Sequence, residues 1–147
     1  MLKEKDIGPV IYSFGMGFQT QTIMDTNNLE QRLNSELLRK KGEIILDKNG
    51  ILFDIITKVF AGIQDKEIFE SSIKIHRYAD TNLRGTQNIS KTSNQICAFV
   101  DIKLPQKLDP NDLESFYLKV APIERHYQEQ NQKLILLLHN PREVQAS

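Results

Sequence analysis

Apolar and polar positions change period several times along the chain, and each change marks an element. Across residues 8–24 apolar side chains fall at every second position, as Val10, Tyr12, Phe14, Met16 and Phe18. That repeat is a strand with one face turned to a core. Gly15 and Gly17 interrupt the other face, which predicts a bulge or a close backbone approach. Leu29, Leu33 and Leu37 then recur every four residues, predicting a helix over 27–41. Asp25 or Thr26 caps it, and Gly42 stops it. The run Arg39-Lys40-Lys41 falls in its last turn, where cations meet the helix dipole.

Further on, 43–47 and 51–60 are apolar runs separated by Lys48-Asn49-Gly50. Asn-Gly between such runs predicts a β-hairpin, although Ile51, Ile55 and Val59 also fit a short helix. Residues 67–78 alternate as a strand, 79–93 are polar and loop-like, and 94–104 form a strand ended by Pro105. Asp109-Pro110 opens a helix burying Leu113, Phe116, Tyr117 and Val120, continuing or kinking at Pro122 with Ile123 and Tyr127 in phase. Residues 133–139 are continuously apolar, the pattern of a strand covered on both faces. The predicted order is β-α-β-β-β-β-α-β. It describes an α+β fold, a mostly antiparallel mixed sheet of five or six strands with two packed helices. Residues 1–147 form one domain with flexible ends at 1–7 and 142–147.

Composition narrows the functional classes. With 147 residues, 39% of them hydrophobic and 26% charged, the chain has enough apolar content for one ordinary core. Lysine plus arginine equals aspartate plus glutamate at 19 each. No net field therefore holds a polyanion or an anionic membrane, and a nucleic-acid role requires a local patch. Residues 133–139 are far too short an apolar run to span a bilayer, and the first residues lack the apolar segment of a secretory signal. A cytoplasmic protein without a membrane partner is the expectation. Cys97 lies in an apolar run and reads as a small buried hydrophobe. His76, His126 and His139 show no zinc-site spacing, and no serine has a nucleophile-elbow context.

The remaining chemistry lies in Glu30, Asp54, Asp101 and Lys103. A helix carries Glu30, Phe53-Asp54-Ile55 follows on a predicted strand, and Asp101-Ile102-Lys103 sits on another, both charged groups on one face. In this arrangement the chain resembles the PD-(D/E)xK nuclease superfamily, in the style of Holliday-junction resolvases and restriction endonucleases. The resemblance implies that Asp54 and Asp101 hold Mg²⁺, that Glu30 is a helper carboxylate, and that Lys103 orients or deprotonates the attacking water. DNA is then the substrate, or the ligand of a degenerate relative. Residues 63–93 become an inserted strand and loop.

Arg77, Tyr78, Arg84 and Lys91 gather positive charge and an aromatic around the polar loop, where they can track a phosphate backbone or simply decorate a hairpin tip. A rival reading makes the chain a non-catalytic assembly or interaction module, a homo-oligomer built by pairing the alternating N-terminal strand with a neighbour. In that case Asp101 and Lys103 are the solvent face of an antiparallel strand.

Overall fold

The computed structural model describes residues 8–78 and 94–144. Its elements are β1 (Val10–Gln19), α1 (Ile23–Ser35), β2 (Leu37–Lys40), β3 (Glu43–Leu46), α2 (Ile51–Val59), β4 (Glu67–Tyr78), β5 (Gln95–Leu104), α3 (Pro110–Glu129), β6 (Lys133–Leu138) and β7 (Arg142–Glu143). The class is α+β, as expected. The main sheet runs β4-β5-β1-β6, with β7 pairing β1, and every pairing is antiparallel. This is the connectivity of a split β-α-β unit. The β2–β3 hairpin and α2 are inserted between α1 and β4.

Three helices replace the two that were predicted. The hydrophobic run after Gly50 coils because Leu52, Ile55, Ile56 and Val59 all reach the core from one stripe. Asn49-Gly50 is not a hairpin turn: the Asp47 carboxylate accepts the Asn49 N–H, and Gly50 becomes the cap of α2. The hairpin turns instead at Lys41-Gly42, between the paired Lys40 and Glu43, with both φ angles positive at 53° and 80°. That is the pattern of a two-residue primed turn. Gly42 therefore bends a hairpin rather than stopping a helix, and Arg39 and Lys40 belong to β2. The preceding helix ends at Ser35 and is capped at its start by the Thr22 hydroxyl, which accepts the Asp25 N–H at 3.0 Å.

A buried carboxylate organises the insertion. Glu36 is 4% exposed, and its Oε1 accepts the Leu52 N–H at 3.0 Å, satisfying a donor at the start of α2. A Cβ on Gly50 would stand 2.5 Å from that carboxyl group. Glycine is needed there for space.

All three helices lie on one face of the sheet. Phe14 of β1, Phe60 after α2 and Phe116 of α3 form an edge-packed aromatic trio, with centroids 5.2, 6.0 and 5.4 Å apart. Around them pack Met16, Leu33, Ile56, Val100 and Leu136. Asp109 and Asp112 form a capping box at the head of α3, behind Pro110, and the helix runs through Pro122. The Leu108 N–H donates to the buried Tyr12 hydroxyl, tying the loop before α3 to β1.

Side chains occupy part of each sheet edge. On β6 the outward Leu136 and Leu138 N–H groups donate to Glu124 Oε2 and Tyr117 Oη of α3, at 2.9 and 3.4 Å. Along β4 a bulge between Phe69 and Lys74 breaks the ladder, and Ser71 and Glu70 accept from Ile44 and Leu46 of β3. The N-terminal strand is not an edge at all. β1 sits between β5 and the β6–β7 side, so both of its edges are already paired within the chain. Residues 142 and 143, expected in a flexible tail, form β7.

Candidate functional site

The face of the sheet opposite the helices carries no helix among the described residues. Cross-strand register assigns its rows: Lys74–Phe99–Gly15–Leu137, then His76–Cys97–Gly17–Ile135, with Gln95–Gln19–Lys133 beyond. In the other direction come Phe69–Asp101–Ser13, and then Glu67–Lys103–Ile11–Arg142. Continuous apolarity in 133–139 predicted a strand covered on both sides. Only one side is covered: Leu134 and Leu136 are buried, whereas Ile135 and Leu137 are 45% and 50% exposed.

Gly15 and Gly17 lower the floor between Phe99 and Cys97 on one side and Leu137 and Ile135 on the other. The result is an apolar groove of about 280 Å³. A Cβ on Gly15 would come within 3.0 Å of the Phe99 ring, so the glycine fixes where that ring lies. The His139 ring meets Phe99 over the same glycine, its Nε2 3.6 Å from that Cβ position, with 5.9 Å between centroids and a tilt of 47°. The expected bulge or close backbone approach is not found: β1 pairs in continuous register, side chains crowd Gly15, and Gly17 meets the Cys97 sulfur and the Ile135 carbonyl at ordinary contact distance.

Lys133 lines the groove, and Lys74 lies in a neighbouring depression with His76, Phe99 and Asp101. Lys74 and Lys133 are exposed at opposite corners and form no ion pair among the described residues, and His76 and His139 are also exposed. Asp101 is held by Arg142 at 2.8 Å, while its backbone N–H donates to Ser72 Oγ. Lys103 and Glu67 are cross-strand neighbours of opposite charge. Cys97 is half-buried on the groove floor rather than in the core, and burial pushes its thiol pKa up. A thiol shifted in that direction is a poorer nucleophile near neutral pH.

The residues implied by the nuclease resemblance do not converge. Asp54 lies on α2 rather than on a strand, 55% exposed and paired with Lys58 one turn along at 3.0 Å. Asp101 and Lys103 share the open face of β5, as their spacing predicted. Since α2 packs on the opposite face through Phe60 and Phe14, the sheet and the body of α2 separate Asp54 from Asp101. A cation held within about 2.0–2.6 Å of each ligand oxygen cannot bridge them. Mg²⁺ thus does not fit the residues assigned to it. Among the described residues, no three histidine, cysteine, aspartate or glutamate side chains group closely enough to hold a metal ion.

Glu30 has a different task, accepting from Arg77 at 3.3 Å. Arg77 also donates to the Asn27 side chain. Its own side chain is only 3% exposed, on the helix-covered face of β4. This pair ties α1 to the sheet, so Arg77 is not available to a phosphate backbone. Tyr78 closes β4, and its side chain, with Arg84 and Lys91, lies outside the described residues.

Compared with known proteins, the chain matches no family model, and no curated protein or solved structure is significantly similar to it. No helix among the described residues is long and apolar enough to cross a membrane.

Proposed function

We propose that the protein is a non-catalytic binding module that docks its partner on the open face of the sheet. The observation that carries this reading is the half-exposure of Ile135 and Leu137, in a strand apolar enough to be covered twice, beside a groove floored by two glycines. Apolar surface left in water is unfavourable by roughly 25 cal/mol per Å², and contiguous exposed apolar patches on a folded chain mark interaction sites. The side chains that occupy part of the β4 and β6 edges support face docking over strand addition. The nuclease reading lacks its two-carboxylate metal site, so catalysis is not part of the proposal.

A partner-independent test uses the apolar anionic dye anilinonaphthalene sulfonate. Wild-type protein enhances its fluorescence while fully folded, and the double substitution Ile135→Ser, Leu137→Ser abolishes the enhancement without unfolding the chain. Folded wild-type protein that leaves the dye dark, or a signal indifferent to the double substitution, contradicts the reading.

A further inference from the structure

The docking groove differs from an ordinary apolar interface in its charge. The chain is neutral as a whole, with 19 cationic and 19 anionic residues. Its open face is not. Lys74, Lys103, Lys133 and Arg142 lie there against Glu67 and Asp101 alone among the described residues. Asp101, in the row next to Phe99, is in an ion pair with Arg142, and Glu67, one row further, lies beside Lys103. Lys74 and Lys133, which form no ion pair among the described residues, are the cations nearest the groove.

Those two lysines frame the aromatic residue of the groove. Lys74 is the direct cross-strand neighbour of Phe99. Lys133 lies on β6, in the row of Gln95, four residues along the β5 direction from Phe99. From Lys74 the displacement is three strand spacings across, about 14 Å, and four residues along, about 13 Å. A flexible polyanion crossing the face diagonally passes over Phe99 and the glycine floor between two positive charges. His139 adds a second planar ring beside Phe99.

Resting on the docking reading above, we infer that the occupant of this face is single-stranded nucleic acid, with an unpaired base on Phe99 in the groove and phosphates at Lys74 and Lys133. The chemistry matches at each point. Bases offer a planar apolar surface to an aromatic side chain whatever their sequence, and lysines follow the phosphates. Duplex DNA or RNA keeps its bases stacked, out of reach of Phe99. A second copy of the chain is disfavoured by charge, because a face-to-face dimer sets one basic surface against another.

Fluorescence anisotropy with the full chain tests the inference, using labelled mixed-sequence single strands of DNA and RNA of about 12 nucleotides, within the site size of known single-strand binders, and the matching duplexes. Single strands are expected to bind in a salt-dependent way, and duplexes at least tenfold more weakly. Phe99→Leu, which keeps the groove apolar, should weaken binding by about 5- to 150-fold, the range of one lost base stack. Lys74→Ala and Lys133→Ala should each reduce the log–log salt slope by about 0.7. Comparison of the DNA and RNA arms identifies which strand is preferred.

The inference is overturned if duplex binds as well as single strand, or if Phe99→Leu and the lysine variants bind like wild type. No oligonucleotide binding, with the dye still held by Ile135 and Leu137, also overturns it while leaving the docking reading intact. A dimer that dissociates on the Ile135→Ser, Leu137→Ser substitution, with no oligonucleotide binding, assigns the face to a second copy. Loss of both dye and oligonucleotide binding in folded wild-type protein removes the two readings together.

Discussion

The two faces of one sheet are built from the same five strands and obey opposite rules. On the inner face every second residue of β1 and β5, from Val10 to Phe18 and from Ile96 to Leu104, is buried under helices. The intervening residues form the outer face and include two glycines, a cysteine, an aromatic and several charges. The inner face makes the fold cohere, through dispersion and the exclusion of water. The outer face contributes little to that and retains apolar groups that folding leaves in water. Alternation along a strand thus separates stability from binding at single-residue resolution.

Substitutions should break this division unequally. The largest effect belongs to the aromatic trio. Phe116→Ala removes a ring that touches Phe14 and Phe60, and is expected to lower unfolding free energy by about 3–5 kcal/mol in urea titration. A loss below about 1 kcal/mol would mean that the inner face is not the packed core described.

Next comes the buried carboxylate beneath α2. Glu36→Ala leaves the Leu52 N–H without its acceptor and should destabilise by about 1–3 kcal/mol, with faster amide exchange at the start of α2. Glu36→Gln keeps an acceptor there and should recover part of the loss. If both variants match wild type, the inserted segment is held by other contacts.

A smaller, pH-dependent effect follows from Tyr12, Tyr127 and Cys97. Burial is the main cause raising all three pKa values, with the Asp54 and Glu36 charges adding to the rise at Tyr127. Below the unfolded-state values of about 9 to 10 both states hold these protons, and stability is undiminished. Above them the unfolded chain releases protons first, so stability should fall as pH rises toward the folded-state values. Thermal melts between pH 8 and 11 check the sign. A melting temperature that rises over that range would contradict it.

The smallest effect on stability should come from the outer face. Ile135→Ser and Leu137→Ser are each expected to cost less than about 1 kcal/mol, because both side chains are already half in water. A loss as large as that at Phe116 would erase the distinction between the faces.

Much of the inner face was legible in the sequence. The alternation of β1 and β5 predicted their buried residues, and Asp109-Pro110 predicted the start of α3, because those signals are local. Signals serving two structures equally were misread: Gly42 suits a helix stop and a primed turn alike, and Asn49-Gly50 suits a hairpin and an Asx turn before a helix cap. The residues 51–60 satisfied both periods until packing against Phe14 and Phe116 decided for a helix. At the open face, the Asp101-Ile102-Lys103 spacing correctly put two charges on one side. Nothing local could reveal that Asp54 lies beyond the sheet, or that Lys74 and Lys133, 59 positions apart in the chain, frame one groove. That relation exists only once strand order is known. The pairing of Gly15 and Gly17 at two-residue spacing was the available signal for the groove.

Backbone amide shifts of isotope-labelled protein, titrated with a single-stranded oligonucleotide, test the separation of the faces most directly. Changes should concentrate on Gly15, Gly17, Cys97, Phe99, Ile135 and Leu137, leaving the amides of α1 and α2 nearly still. Changes centred instead on the helices, or no changes at concentrations that saturate the anisotropy signal, would contradict the account.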